Sequence, residues 1–444
     1  MKLTVPKVNI LEDEGFSPEA DIFLRKDFGE RLASLVEKSN GNIVIALDAK
    51  WGEGKSTFIK MWQGYIEHKR DNKIKSIYFD AFANDYQKDP FLTLAAEMYE
   101  LVKNKPQEKT DEFKTKAGNA VKSLARGAIK ITVRAVSGGI LDGSIVDSAE
   151  KDISDLLADQ VDEIIADKLQ NTTKDRLAIS QFREYLEKLS AEEGRPIVFI
   201  VDELDRCRPD FALELVEQIK HLFSVPGITF LLVMNRMQLQ ESIKARYGSG
   251  VEATLYLQKF VNLWLSLPRK SDRYHDNGAQ YVKHALNLML DDGEQVANND
   301  VIELLSELVK YLKPSFREIE QILSYFALIH NMAGNSAYYA HYQTMIAFIC
   351  YLKASKPELI SKIENESIDG KELIQMAGLP ISFSDEIIFY HIEYLYNLII
   401  FDLANKEERQ RMLDEKVISF SGAQGLSKNI IKKVCGWLSE MSIK

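Results

Sequence analysis

A chain of 444 residues, 45% of them hydrophobic, has material for two or three domains with substantial cores. Its formal net charge of −10 excludes sequence-independent coating of nucleic acid by the whole surface and leaves only a local basic patch for such a contact. Three scattered cysteines, Cys207, Cys350 and Cys435, exclude a disulfide framework or a cysteine-rich zinc site and fit a reducing cytoplasm.

The opening run Met1-Lys2-Leu3-Thr4-Val5-Pro6-Lys7 lacks the apolar core of a signal peptide, so a cytoplasmic location is expected. The first strong element is Ile43-Val44-Ile45-Ala46-Leu47, which reads as a buried strand. It leads to Trp51-Gly52-Glu53-Gly54-Lys55-Ser56-Thr57, after which Phe58, Ile59, Met61 and Trp62 recur at helical spacing. In a loop between a strand and a helix, glycines let backbone N–H groups converge on phosphate oxygens, and the helix N-terminus adds a favourable field. On this reading Trp51 to Thr57 cradle a nucleotide, Lys55 reaches the β- and γ-phosphates, and Ser56 supplies a hydroxyl to Mg²⁺. The motif G-x-x-x-x-G-K-[ST] wants glycine at position 49, where this chain has Ala49; a positive φ there would strain alanine.

About 145 residues separate Ser56 from the next motif, more than a bare core needs, so an insertion is expected. It begins basic: Lys103, Lys105, Lys109, Lys114, Lys116, Lys122, Arg126, Lys130 and Arg134 face only Glu108, Asp111 and Glu112. The flexible-looking stretch Ala135-Val136-Ser137-Gly138-Gly139-Ile140-Leu141 follows. The sign then flips at Asp147, Glu150, Asp152, Asp155, Asp159, Asp162 and Glu163, with Ile153, Leu156, Leu157, Val161, Ile164 and Ile165 on the apolar side. Two helices of opposite charge packed as a hairpin is the favoured reading. Contact of the basic segment with a membrane surface, a nucleic acid or a protein partner stands as the alternative. Charges interrupt every apolar run, so no integral membrane segment is expected.

Ile197-Val198-Phe199-Ile200-Val201 has the continuous apolar pattern of a parallel strand buried on both faces. It ends in Asp202-Glu203. In a nucleotide hydrolase Asp202 would hold Mg²⁺ and Glu203 would orient and deprotonate the attacking water. The plainer reading, acids opening a helix, explains either one but not their union with Lys55 and a buried strand. Asp205 and Arg206 follow; Arg206 suits an ion pair or a phosphate sensor equally. A third strand, Ile228 to Met234, ends in Asn235-Arg236, and Asn235 suits either a γ-phosphate or water contact or a simple cap. The guanine-reading pattern Asn-Lys-x-Asp is absent, because the nearest approach is Asn235-Arg236-Met237-Gln238, and this favours ATP over GTP. Seven histidines show no ligand spacing, so Mg²⁺ is the only metal implied.

Beyond residue 270 the pattern is helical, with one stripe at Leu304, Leu305, Leu308, Val309 and Leu312 and another at Ile319, Ile322, Leu323, Phe326 and Ala327. Tyr338 to Leu352 and Ile387 to Phe401 are strongly apolar. They carry polar groups (His341 and Gln343; His391, Glu393 and Asn397) and are short for a bilayer, so buried core helices are expected.

With these motifs the chain resembles the KAP family of P-loop NTPases. The resemblance rests on Trp51-Gly52-Glu53-Gly54-Lys55-Ser56-Thr57-Phe58 and Val201-Asp202-Glu203-Leu204-Asp205-Arg206-Cys207. Support comes from Asp21-Ile22-Phe23, Tyr78-Phe79-Asp80-Ala81-Phe82, Tyr256-Leu257-Gln258-Lys259-Phe260, Leu267-Pro268, and Arg317 after Pro314. It covers roughly residues 15–335. It implies an α/β fold: an additional-strand P-loop parallel-sheet core with a helical insertion and a mostly α-helical C-terminal region. The expected division is core at 1–100 and 191–270, insertion at 101–190, a lid-like helical segment at 271–335 and a helical domain at 336–444.

The resemblance places Arg317 where related ATPases carry an arginine that reports nucleotide state, against the plain alternative of a surface helix arginine. It departs from the pattern at Ala49 and at Asn235, where many relatives have aspartate. Many relatives also carry membrane helices between the two nucleotide motifs. The expected activity is ATP hydrolysis with Mg²⁺, serving a conformational cycle or an assembly, with Glu203 activating water and Asn235, Arg206 or Arg317 stabilising the transferred phosphoryl. Two other readings are a slow ATP-dependent switch or scaffold acting through a protein partner or self-association, and a nucleic-acid-dependent ATPase working through residues 103–134. The resemblance also implies a setting in bacterial defence against phage.

Overall fold

The computed structural model describes residues 1–6, 15–39, 41–87, 89–137, 174–271, 275–291, 294, 299–333, 340–383, 389–418 and 429–440, the side chains of 125–137, 299, 333 and 440 apart. The apolar runs form strands β1 (Val44–Asp48), β2 (Lys75–Asp80), β3 (Ile197–Asp202) and β4 (Ile228–Met234), and β5 (Leu263–Ser266) completes one sheet. Every pairing is parallel, in the order β2-β3-β4-β1-β5. Strand β4 therefore stands between β1, which feeds the glycine loop, and β3, which carries the acid pair. That is the additional-strand arrangement. The register levels the strand tips: Asp48 lies opposite Met234 and Ser266, and Asp80 opposite Asp202. Such an edge, outside the carboxyl ends of parallel strands, is where open α/β sheets bind ligands.

The strand residues alternate between two cores, as the period of two requires. Ile45, Leu47, Val198, Ile200, Leu231 and Val233 pack on one face with helix α1 (Lys26–Lys38) and helix α2 (Lys55–Gly64), contributing Leu32, Val36, Phe58, Ile59 and Trp62. Residues Phe199, Val201, Phe230 and Leu232 face the other way. Between β2 and β3 the chain forms α3 (Ala81–Asn84), α4 (Pro90–Met98), α5 (Gln107–Ser137) and α6 (174–193). Phe91 and Met98 of α4, Phe113 and Ala117 of α5, and Phe182 and Leu186 of α6 join that second core. Lys105 lies 3.3 Å and Lys109 2.5 Å from Glu192 of α6, so part of the basic segment is neutralised within the fold. The acidic stretch expected to form a hairpin with it lies outside the described residues.

Helices α7 (Pro209–Gln218), α8 (Arg236–Tyr247) and α9 (Ala253–Gln258) complete the α/β layer. The chain then runs through α10 (Asn277–Met289), α11 (Asn299–Leu312), α12 (Phe316–Ala333), α13 (Ala340–Ser355), α14 (Pro357–Glu364), α15 (Gly370–Ala377), α16 (Tyr390–Leu403), α17 (Lys406–Asp414) and α18 (Ile430–Glu440). One continuous cluster from Val282 to Leu438 forms their core and includes both expected apolar stripes. Every residue of α13 from Gln343 to Leu352 is buried, and α16 buries Ile392, Leu395, Leu398, Ile399 and Phe401. Among the described residues no helix is long and apolar enough to cross a membrane. The boundary drawn between residues 335 and 336 lies outside the described residues.

Candidate nucleotide site

The loop after β1 turns on two glycines, Gly52 and Gly54, each with φ +77°, a left-handed conformation that strains residues with a side chain. Ala49 is not among the positive-φ residues, so the alanine in place of the motif's first glycine costs the backbone nothing here. Gly54 caps α2, and Lys55 opens it. Gly52 has a second reason to be glycine. A Cβ there would stand 2.8 Å from Arg317 Cβ and 3.1 Å from Ser315 Oγ, because the start of α12 lies directly against the loop.

Lys55 Nζ donates to the carbonyls of Ala49, at 2.8 Å, and Lys50, at 3.2 Å. Burial pushes its ammonium below the usual lysine range, opposed by the nearby Asp205, Asp202 and Asp48 carboxylates. At the tip of β3, Asp202 is fully buried. It accepts from the Glu203 amide at 2.8 Å and the Tyr78 hydroxyl at 3.2 Å, and it is hydrogen-bonded to Ser56. Burial raises its carboxyl pKa, and those hydrogen bonds oppose the shift. Glu203 sits in the left-handed region at φ 58°, a conformation uncommon for a side-chain-bearing residue. Its carboxylate meets Arg206 at 3.0 Å. Burial raises its pKa as well, with Arg206 pulling the other way.

A cavity of 320 Å³ opens beside the loop. Gly52, Gly54, Lys55, Ser56 and Thr57 line it with Glu203 and Arg206, and Ala20 to Phe23, Arg25, Met61, Tyr281, Phe316, Arg317 and Glu320 contribute the rest. The fold thus brings Lys55, Ser56, Glu203, Arg206 and Arg317 to one cavity. Asn235 is not among its lining residues. It stands at the tip of β4, and its side-chain oxygen accepts from Met237 N at 3.1 Å, capping α8. Two loop side chains are occupied elsewhere. The Trp51 indole donates to buried Asp205, and the Glu53 carboxylate pairs with Arg269. What these two positions offer a ligand is therefore backbone.

Several participants escaped the motif reading. Arg269 links Glu53 to the Pro314 carbonyl at 2.9 Å, tying the loop to the turn before α12. Phe23 stacks on Phe316 with centroids 4.4 Å apart, and Arg25 and Arg269 lie over those rings. Tyr281 donates to Glu320 inside the cavity. Asp21-Ile22-Phe23, Leu267-Pro268 and Arg317 after Pro314 marked these neighbourhoods beforehand, but the first two motifs stop short of Arg25 and Arg269. The arginines two residues on, or next in line, carry the contacts.

The model of the KAP family P-loop domain matches residues 25–333. The chain belongs to the KAP family. Among curated proteins nothing matches it. Among solved structures it is similar to the Aeropyrum pernix ORC2 protein in its ADPNP-ADP complexes, at 13% identity and TM-score 0.38 over 98% of this chain and 97% of that one. It is similar to CDC6P from Pyrobaculum aerophilum at 12% identity and TM-score 0.39, over 98% and 100% of the two chains. Drosophila ORC bound to DNA matches at 9% identity and TM-score 0.39, over 93% and 87%. This KAP-family P-loop NTPase has its nucleotide motifs on the sheet edge and its α12 helix pressed against the loop.

Proposed function

We propose that this KAP-family chain binds ATP with Mg²⁺ in the cavity beside Gly52 and Gly54 and hydrolyses it to drive a conformational cycle or an assembly. The observation that carries this reading is the meeting of Lys55, Ser56, Glu203 and Arg317 on one cavity, with Asp202 hydrogen-bonded to Ser56 behind it. The residues fit the ligand. Two left-handed glycines leave the loop amides free of side-chain obstruction, and a hydroxyl beside a carboxylate is the hard oxygen pair that suits Mg²⁺. That ion, held by Ser56 and Asp202, would neutralise charge on the phosphate oxygens.

In this reading Lys55 leaves the Ala49 and Lys50 carbonyls to pair with phosphate. Glu203 accepts the proton of the attacking water, a role its raised pKa suits. Arg206 or Arg317 offsets charge on the transferred phosphoryl. Because α12 abuts Gly52, a change of loop occupancy reaches the helical region directly, and that contact is the natural output of the cycle.

A slow switch is the second reading, and one observation favours it: the Glu203 carboxylate is engaged by Arg206 rather than free to accept a proton from water. The defence setting implied by the family adds a cellular test, phage challenge of cells carrying the parent or a Lys55→Ala chain. The deciding biochemical measurement is ATP binding and turnover for the parent, Lys55→Ala and Glu203→Gln, with and without Mg²⁺. Turnover by the parent, loss of binding in Lys55→Ala and binding without turnover in Glu203→Gln support the hydrolase. Tight binding with negligible turnover in both parent and Glu203→Gln would move the weight to the switch.

A further inference from the structure

The glycine loop lines the cavity together with the segment Ala20 to Phe23 and Arg25, and that segment contains a cation whose hydrogen bonding is incomplete. Arg25 is 3% exposed and its guanidinium is fixed at two corners. Nε donates to the Pro268 carbonyl at 3.0 Å and Nη1 to the Glu53 carbonyl at 3.1 Å. The third nitrogen, Nη2, is buried with no hydrogen-bond partner among the described residues. A buried charged donor left unpaired is costly, and such groups in folded proteins ask for a ligand or a role.

The nearby acids are already committed. Asp21 accepts from the backbone amides of Arg25, at 2.8 Å, and Lys26, at 2.9 Å, while the Glu53 carboxylate is on Arg269. Burial lowers the Arg25 guanidinium to about 10 and raises the Asp21 carboxyl. Desolvation leads both shifts and so describes a dry pocket, with the Glu53 and Asp21 charges opposing the shift at Arg25. Location narrows the ligand further. A Cβ on Gly54 would stand 3.4 Å from Arg25 Nη1, so the guanidinium lies against the last glycine before Lys55, where loop amides gather phosphate oxygens.

We propose that Arg25 is a nucleotide-binding residue whose Nη2 takes an anionic oxygen of the phosphate chain. This rests on the reading of the cavity as the nucleotide site and deepens it. A planar guanidinium pre-set by two carbonyls matches phosphate better than a flexible ammonium does. The same side chain holds the loop through Glu53 and the segment after β5 through Pro268. Phosphate binding at Nη2 therefore fastens these two segments around the ligand.

The test measures dissociation constants of ATP, inorganic tripolyphosphate and adenosine by titration calorimetry for the parent, Arg25→Gln and Lys55→Ala. Ligand-induced shifts of the thermal midpoint run alongside to report folding. For Arg25→Gln, ATP and tripolyphosphate are expected to bind about 10- to 100-fold more weakly, the scale of one charge-assisted hydrogen bond, with adenosine unchanged. If Arg25→Gln does not fold, Arg25→Lys carries the same measurement, since it keeps the charge and loses the three-cornered geometry; weaker tripolyphosphate binding is again expected. Undiminished ATP and tripolyphosphate binding in the variant that folds would make Arg25 a scaffold residue and overturn the proposal. Loss for ATP but not for tripolyphosphate would move the contact to base or ribose and overturn it too. If Lys55→Ala binds ATP as the parent does, the nucleotide reading of the cavity falls first, and this inference with it.

Discussion

Two buried aspartates, one in each half of the molecule, differ in what their oxygens hold. Asp202 ends β3 and Asp402 lies in the last turn of α16; the first is fully buried and the second 2% exposed. Burial raises the pKa of both. Asp402 accepts from two backbone amides, Ile430 N at 3.0 Å and Ile431 N at 2.9 Å, and so anchors the first turn of α18. Its oxygens serve the fold. Asp202 instead accepts from Tyr78, Ser56 and a single amide, and both hydroxyl donors can turn to other partners. What distinguishes Asp202 from Asp402, and fits the metal-holding role proposed for it, is less its burial or its pKa than how exchangeable its donors are.

The comparison is broken most severely at Lys55, which the C-terminal half has no counterpart for. Lys55→Ala is expected to weaken ATP binding by about 100-fold or more, the loss of two charge-assisted contacts to phosphate. Unfolding in the absence of nucleotide should stay close to the parent, because the lysine there hydrogen-bonds two loop carbonyls and its desolvation outweighs the pull of the nearby carboxylates. Equilibrium binding and denaturant unfolding on the same two proteins check both halves of the statement.

Exchanging each aspartate for asparagine sharpens the contrast. Asp202→Asn should lower turnover by on the order of 10²- to 10³-fold with little loss of stability, since burial already disfavours its charge. Asp402→Asn should leave turnover intact and cost about 1–3 kcal/mol, because an amide NH₂ then faces a helix amide. The pH dependence follows from the direction of the shift. With the folded pKa of Asp402 raised above the unfolded value near 3.8, the native state holds more protons in the window between them. Its contribution is complete below 3.8 and is lost as pH rises through the folded pKa. The stability advantage of the parent over Asp402→Asn should accordingly shrink from the acid side of that window toward neutrality. Urea midpoints taken across the window would reveal the opposite trend if the carboxylate were instead favoured by its two amides.

The two halves also differed in how much the sequence disclosed. Apolar runs at Ile43–Leu47, Ile197–Val201 and Ile228–Met234 announced β1, β3 and β4, because strands buried on both faces leave no alternation to misread. The edge strand β5 carried no such signal: Leu263 and Ser266 are exposed and Trp264 and Leu265 only partly covered. At the site, Lys55, Ser56, Asp202 and Glu203 were legible because their spacing from a strand end is set by local geometry. Arg25, Arg269, Tyr281 and Glu320 were not. Arg25, Tyr281 and Glu320 reach the cavity, and Arg269 the loop beside it, only after separate segments fold together, and no spacing in the chain encodes that meeting. Ala49 taught a smaller lesson, since the glycine it replaces was needed only if φ were positive. The C-terminal helices could be read as core from their stripes, but Asp402 looked like any polar residue at a helix end until the α18 amides were placed beside it.

The smallest expected effect concerns Arg206, which tests whether the pair with Glu203 is structural or a restraint on the base. Glu203 and Arg206 are 20% and 34% exposed, so their ion pair should contribute no more than about 1 kcal/mol. Arg206→Ala should therefore leave the thermal midpoint nearly unchanged. Its effect should appear in the pH profile instead. Burial raises the Glu203 pKa while Arg206 lowers it; removing the arginine leaves burial unopposed by its largest counterweight. The acid limb of kcat, which reports the deprotonated base in the bound complex, should then move to higher pH. If Arg206 also stabilises the transferred phosphoryl, the plateau falls as well as the limb shifting. A limb that shifts beneath an unchanged plateau assigns Arg206 to tuning Glu203 alone. A rise in the plateau would identify the ion pair as a brake, and the switch reading would then explain why the base is held by a neighbour three residues away.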